Sequence, residues 1–348
     1  MAALDPQRYE IVPIGISRDG VWVLGESDPR KLELGGAVMP QVTVTPGSAQ
    51  VVIPAGDGTQ HLLEVKHGND GSVTAQSLGP IDVAFPLLHG PFGEDGTVQG
   101  LLEMANIPYV GCGVFASAAG MDKHYMKIVL EAAGIPVSPY IAVTADQWSR
   151  DPKAVRTATA NLTFPLYVKP ARAGSSLGIS RIESIDELDL AIETAHKHDP
   201  KVIIEEGIVG REVECAVLGG RAGEPAKVCA PGEIMLDVPE DTFYDFDHKY
   251  VHTEALTMQI PAAIDPLAQE AVQRTAVAAF EAFGCEGLTR VDCFVTPSGE
   301  VLVNEINTMP GFTPFSMYPA LWEHKGMKYS ELVDELVALA LARGTGLH

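Results

Sequence analysis

The chain has 348 residues, 46% of them hydrophobic and 20% charged, with 34 glycines and 25 prolines; this is the composition of a folded chain with more than one core, not of a disordered one. Its 46 acidic against 24 basic residues leave a net charge of -22, which argues against a nucleic-acid partner, because phosphate backbones are gripped by Lys and Arg. The longest apolar stretch, Ile107 to Met121, is broken by Pro108 and four Gly or Ser positions, short of the ~18 consecutive apolar residues a membrane span needs.

Met1 to Glu10 carries Asp5 and Pro6 where an export signal has a basic end and an apolar run. The five cysteines, Cys112, Cys215, Cys229, Cys285 and Cys293, are odd in number and without C-x-x-C spacing, so they read as reduced thiols. A cytoplasmic protein with no membrane attachment is expected.

In chain order, short β-branched runs at Ile11 to Ile16, Val21 to Leu24, Val42 to Thr45, Val51 to Ile53 and Leu62 to Val65 read as strands. The continuous apolar run Ile81 to Leu88 reads as a fully buried strand. A short helix over Asp95 to Asn106 and a strand over Ile107 to Val110 complete the βαβ grammar of a parallel sheet. Asp122 to Ala133 reads as an amphipathic helix capped by Asp122 and stopped at Gly134. Strands follow at Leu166 to Lys169, Gly178 to Ile182 and Lys201 to Glu206, with a helix opened by a Ser184–Glu187 capping box and running to His198. Further strands are expected at Glu212 to Leu218, Ala226 to Cys229, Leu288 to Val295 and Val301 to Ile306. A long helix runs from Asp265 to Phe283 and stops at Gly284; a last one, Ser330 to Ala342, carries an apolar stripe. Glu233 to Glu254 shows no regular pattern, and long ordered loops of this kind are commonly functional lids.

The hairpin of Leu288–Val295 and Val301–Ile306 carries the densest chemistry. Alternate residues of a strand share a face, so Glu305 and Asn307 point together and Asp292 on the partner strand can join them. Two carboxylates and an amide suit a hard cation such as Mg²⁺; the plain alternative is an edge hairpin with solvated acids. Arg290 shares the face of Asp292 and suits developing phosphoryl or oxyanion charge. Lys169 closes an apolar strand just before a Gly/Ser loop whose N–H groups can cradle an anion, the alternative being a snorkelling lysine. Gly174 to Gly178 also fits G-x-S-x-G, but a nucleophile elbow needs a helix next, whereas Ile179 to Ile182 is strand-like. Glu205-Glu206-Gly207-Ile208 leads from one block to the next, a place where a flat ligand can sit. There is no Walker A sequence, no dinucleotide fingerprint and no H-E-x-x-H.

Val168-Lys169-Pro170 with Gly174-Ser175-Ser176, Glu205-Glu206, Tyr244-Asp245-Phe246-Asp247-His248-Lys249-Tyr250, Arg290-Val291-Asp292 and Asn304-Glu305-Ile306-Asn307 through Gly311 occur in one order. Together with Leu88-His89-Gly90 to Gly96 and Met121-Asp122-Lys123, they give a chain that resembles the D-alanine–D-alanine ligases of the ATP-grasp superfamily over nearly its whole length. The resemblance implies an α/β, three-domain ATP-grasp architecture with an N-terminal parallel-sheet, Rossmann-like domain over 1–110. The central ATP-grasp part would span 111–206 and the C-terminal part 207–348. By the same resemblance ATP is held by Lys123 and Lys169 at its phosphates, by Glu205, Glu206 and Ile208 at the adenine, and by Glu212 at the ribose. Asp292, Glu305 and Asn307 carry two Mg²⁺, or Mn²⁺ in their place. Arg290, Gly311, Ser175 and Tyr250 serve catalysis; His89, Lys249, Ser316 and Met317 bind substrate. The implied reaction phosphorylates the carboxylate of one D-alanine and lets the amine of a second attack the acyl phosphate, for peptidoglycan precursor synthesis. Tyr250 implies an amine rather than a hydroxyl as the second nucleophile, and the family implies a homodimer.

One departure is visible. The family opens on a strand and a Gly-Gly-x-Ser-x-Glu stretch whose glutamate binds the first D-alanine's amine, whereas this sequence starts Met1-Ala2-Ala3-Leu4-Asp5-Pro6 and has no such stretch. A natural start upstream of Met1 is the expectation, the alternative being an impaired nucleotide-binding chain.

Overall fold

The computed structural model describes residues 1–348 except 2, 18, 26–41, 43, 45–48, 55–59, 69, 175–176, 222, 237–255, 314–315 and 347–348. The chain divides into one unit of Met1–Phe85, Gly100–Val110 and Tyr329–His348 and another of Pro86–Gln99 and Gly111–Lys328.

In the first unit, β1 (Ile14–Ile16) and β2 (Trp22–Leu24) pair antiparallel, and β3 (Gln50–Val52), β4 (His61–His67) and β5 (Val73–Pro80) form an antiparallel sheet. β5 escaped the sequence reading because six of its eight side chains are exposed and carry no alternation; the ladder to β4 alone defines it. The fully buried strand expected over Ile81 to Leu88 does not form. Asp82 interrupts the run and Pro86 and Pro108 lack N–H groups, so the parallel sheet expected here reduces, among the described residues, to one bridge. In it Ala84 N–H donates to Pro108 O at 2.7 Å and Val110 N–H to Ala84 O at 2.9 Å. The C-terminal helix, Tyr329–Arg343, belongs to this unit, where Arg343 Nη2 donates to Tyr109 O at 3.1 Å and its guanidinium stacks 4.1 Å from the Tyr109 ring. The strand expected over Val42 to Thr45 lies partly outside the described residues.

In the second unit, α1 (Thr97–Met104) starts in this part of the chain, followed by α2 (Val114–Met121) and α3 (Lys123–Ala132). Asp122 caps α3 as expected, accepting from the His124 and Tyr125 N–H groups, and Gly134 follows at φ 72. A four-stranded antiparallel sheet runs in the order β6 (Tyr140–Thr144), β9 (Lys201–Glu206), β7 (Leu166–Pro170), β8 (Ser180–Ile182). Val168, Leu166, Val202 and Ile204 on one face pack with Leu188, Ile192 and Ala195 of α6 (Leu188–His196). Ser184 makes no capping bond to backbone; its Oγ donates to Glu187 Oε1 at 3.0 Å and Ile185–Glu187 forms a 3₁₀ turn before α6. The capping box falls instead at Thr144–Gln147, where α4 (Ala145–Arg150) begins, ahead of α5 (Pro152–Thr159).

A second four-stranded antiparallel sheet runs β11 (Lys227–Val228), β10 (Arg211–Leu218), β14 (Leu288–Val295), β15 (Val301–Asn307). Its apolar face, with Val213, Cys215, Val291, Cys293, Val303 and Ile306, packs against Val272, Ala276 and Phe280 of α7 (Pro266–Ala282). The patternless reading of Glu233 to Glu254 holds only in part. Glu233–Leu236 is a strand, β12, paired with β13 (Leu256–Gln259), and 237–255 between them lie outside the described residues. α8 (Met317–His324) closes this unit, and the C-terminal helix becomes α9. No helix of the described residues is long and apolar enough to cross a membrane.

Candidate active site

On the first sheet of the second unit, strand alternation leaves the face opposite α6 to Tyr140, Tyr167, Lys169 and Glu205, with Glu205 directly across from Tyr140 and Tyr167. Glu205 is 4% exposed and is the hub of a charge cluster. Lys169 Nζ donates to its Oε2 at 3.3 Å, Ser138 Oγ donates to the same oxygen at 3.2 Å, and Lys127 Nζ lies 3.5 Å away while donating to Ser138 Oγ at 2.8 Å. Burial works to raise the Glu205 carboxyl, but the Lys169 and Lys127 charges outweigh it and hold it below the ordinary value. For Lys169 burial works downward and Glu205 reverses it, leaving a raised pKa; for Lys127 burial prevails over Glu205 and the pKa is lowered.

On the second sheet, register puts Arg290 across from Asn307, Asp292 across from Glu305, and Glu214 across from Asp292. Strict alternation would give Val303 and Glu305 one face. The register shift at Asp292/Cys293 makes Asn304 an extra residue of β15, so Val303 pairs with Cys293 in the core while Glu305 pairs with Asp292 on the polar face. The bulge also frees Asn304 to donate from Nδ2 to Glu212 Oε1 at 3.1 Å. Arg290 grips Asp292 bidentately, Nε to Oδ1 at 2.7 Å and Nη2 to Oδ2 at 2.6 Å, with Glu214 Oε2 3.0 Å from Nε. Burial opposes the Arg290 charge, but Asp292 and Glu214 overcome it and lift its pKa far above the ordinary value. Lys123 Nζ links the two polar faces, donating to Ala173 O at 3.0 Å and lying 3.8 Å from Glu305 Oε2.

The turn from Leu88 to Gly96 stands beside this face. Gly90 N–H donates to Glu94 Oε2, Phe92 N–H to Asp95 Oδ2 at 2.8 Å, and Leu88 N–H faces Met309 Sδ at 3.2 Å. His89 keeps an exposed edge, yet its imidazole is held below its ordinary value, first by partial desolvation and then by Arg290. Burial, the largest influence, raises the Glu94 carboxyl. After β15, Ser316 Oγ accepts from Thr313 N–H at 3.0 Å, and a Cβ on Gly311 would come within 2.8 Å of Ser316 Oγ, so the chain closes tightly there.

Of the residues expected at the site, Lys123, Lys169, Glu205, Arg290, Asp292, Glu305 and Asn307 come together in this unit, and His89, Gly311, Ser316 and Glu212 lie on its loops and strands. Glu206 turns its carboxylate to Thr163 N–H at 2.8 Å, and Ile208 is half-buried just beyond β9. Met317 is 3% exposed and its side chain packs toward Gly232, where a Cβ would come within 2.6 Å of its Sδ. Ser175, Lys249 and Tyr250 lie outside the described residues. Sequence reasoning passed over Lys127, Ser138 and Glu214, and gave Glu94 no role of its own within the Leu88 to Gly96 motif. The signal for Lys127 was its place between Met126 and Leu130 on the buried stripe of α3.

Asp292, Glu305 and Asn307 offer hard oxygen donors from facing strands, which fits a divalent cation with water and phosphate completing its shell. Each carboxylate oxygen bound by Arg290 keeps a further lone pair. Among the described residues no group of three His, Cys, Asp or Glu side chains is arranged as a metal cluster.

A lysine-lined sheet and a carboxylate-lined sheet joined through Lys123 and Glu305 define an α/β protein of ATP-grasp architecture. Family profiles for the D-ala D-ala ligase N-terminus and C-terminus match residues 1–112 and 129–338. The chain belongs to the D-alanine–D-alanine ligase family. A relative named D-alanine–D-alanine ligase from Arthrobacter sp. (strain FB24) is 54% identical over 347 residues, covering 100% of this chain and 89% of that protein. Its counterpart from Bifidobacterium longum (strain DJO10A) is 46% identical, covering 97% of this chain and 92% of that one. Among solved structures, the VanG D-Ala:D-Ser ligase of Enterococcus faecalis superposes with a TM-score of 0.78 at 35% identity, covering 97% of this chain and 92% of that chain. The D-alanine–D-alanine ligase of Coxiella burnetii gives 0.77 at 33%, covering 98% and 87%.

Proposed function

We propose that the protein joins two D-alanines into D-alanyl-D-alanine with consumption of ATP, through an acyl phosphate, in the synthesis of peptidoglycan precursors. The observation that carries this is the polar face shared by Arg290, Asp292, Glu305 and Asn307, tied through Lys123 to the sheet that bears Lys169 and Glu205.

Lys123 and Lys169 neutralise ATP phosphates, Glu205, Glu206 and the backbone at Ile208 receive the adenine, and Glu212 takes the ribose. Asp292, Glu305 and Asn307 would hold two Mg²⁺, which would supply positive charge to offset that of the transferring phosphoryl group. Arg290 and the Gly311 N–H stabilise the oxyanion formed when the second amine attacks. His89, Lys249, Ser316 and Met317 position substrate, Ser175 and Tyr250 serve catalysis, and Tyr250 makes an amine the second nucleophile. The segment containing Lys249 and Tyr250 excludes the water that would destroy an acyl phosphate. The work divides over three parts, 1–110, 111–206 and 207–348, in a cytoplasmic homodimer.

Phosphate release by the purified chain with ATP and Mg²⁺ tests the reading. Release that requires D-alanine and is not supported by L-alanine is expected; ATP binding without D-alanine-dependent release would overturn it and leave a silent nucleotide-binding chain.

A further inference from the structure

Glu205 meets two lysines that differ in one respect. Lys127 is 0% exposed and fixed by Ser138 Oγ at 2.8 Å, with its ammonium 5.4 Å from the centre of the Tyr140 ring. Lys169 is 14% exposed along its side chain and lies on the face that also receives Lys123. Only Lys169 has somewhere to go. A lysine cannot serve a buried carboxylate and a phosphate at full strength at once, because an ammonium acts as a compact point charge whose attraction falls with distance. If Lys169 turns from Glu205 to a nucleotide phosphate, the 4%-exposed carboxylate has to keep a counter-ion, since an uncompensated charge in such a place is strongly unfavourable.

We infer that Lys127, acting with Ser138, is a positioning residue for nucleotide binding: it is the fixed counter-ion of Glu205, and it is what releases Lys169 to reach the phosphates. The geometry supports this directly. Ser138 accepts from Lys127 and donates to the same Glu205 oxygen that Lys169 uses, so one oxygen carries a permanent partner and an exchangeable one. With both lysines present the cluster holds one positive charge in excess, and that excess is available to an incoming triphosphate. Without Lys127, the remaining lysine is neutralised by Glu205 and the nucleotide has to compete for it. The inference rests on the proposed role of Lys169 at the ATP phosphates.

The test is calorimetric titration of the full chain with ATP and Mg²⁺, with thermal melts of every variant. Lys127→Met is expected to weaken ATP binding on the order of 10- to 100-fold. The loss is expected to shrink to under about threefold when the same substitution is made in a Glu205→Gln background, because a neutral amide no longer captures Lys169. If Lys127→Met does not fold, Ser138→Ala carries the test: it keeps the lysine, loosens its hold on Glu205, and is expected to weaken binding several-fold, again only while Glu205 is charged. A lowered melting temperature with unchanged ATP affinity would overturn the inference and make Lys127 merely structural, as would equal losses in the wild-type and Glu205→Gln backgrounds. A wild-type chain that binds no ATP would overturn the ligase reading and this inference with it, whereas normal wild-type binding and unaffected variants would overturn the inference alone.

Discussion

At the scale of single residues, Arg290 is committed on two sides, to both oxygens of Asp292 and to Glu214, so its guanidinium plane is fixed before any substrate arrives. Preorganised charge of this kind needs little rearrangement when an oxyanion develops. Arg290→Lys keeps the charge and loses the fork; D-alanine-dependent turnover is expected to fall about 10²- to 10³-fold with a much smaller change in ATP affinity, measured by steady-state kinetics beside calorimetry. Glu305→Gln removes a charge from the proposed metal site and the ion-pair partner 3.8 Å from Lys123; the Mg²⁺ concentration giving half-maximal rate is expected to rise about tenfold or more, and an unchanged Mg²⁺ dependence would remove Glu305 from that proposal. That Glu305 and Asn307 share a face with Asp292 was legible in the sequence because strands follow a period of two. Lys127 was passed over because an isolated lysine on an amphipathic helix is ordinarily a solvated edge, although its place on the stripe of Met126 and Leu130 was a signal. What buries it is Glu205, brought against it only by the folded sheet.

Elements position these residues through a few local devices. Asp122 both caps α3, through the His124 and Tyr125 N–H groups, and pairs with Lys201 Nζ at 2.5 Å. It thereby ties the helix that carries Lys123 and Lys127 to the strand that carries Glu205. Asp122→Ala is expected to lower stability by about 1–2 kcal/mol through the cap alone, read from urea denaturation midpoints, and to weaken ATP binding in parallel as Lys123 loses its place. The Asn304 bulge is the other device, and it was not legible: the sequence shows β-branched residues at Val301, Val303 and Ile306 around acids, and only the register reveals that one residue is extra. Helix ends carried by Asp122, Asp265, Gly134 and Gly284 were readable because each signal is a single residue with its own geometry. The run Ile81 to Leu88 was misleading because apolar composition alone does not supply the N–H groups that Pro86 and Pro108 withhold.

Across the whole molecule, titration and burial set how the protein responds to its medium. His124 and His196 are both held below the ordinary imidazole value, first by burial, and His124 Nδ1 and His196 Nε2 are buried with no hydrogen-bond partner among the described residues. A histidine with a depressed folded pKa binds protons more readily when unfolded, so stability is highest above the ordinary imidazole value and falls as pH drops through it. Melting temperature is expected to decline from about pH 7.5 to 5.5, and less steeply in a His124→Gln/His196→Gln variant. All five cysteines are buried, so a thiol reagent is expected to label the native chain only at the rate of its opening, with all five titrating rapidly in denaturant. The account depends most on the chemistry of the product. The decisive measurement is chromatography with mass detection on a reaction of the chain with ATP, Mg²⁺ and D-alanine. The account predicts D-alanyl-D-alanine accumulating one-to-one with ADP, and ADP formed without dipeptide would contradict it.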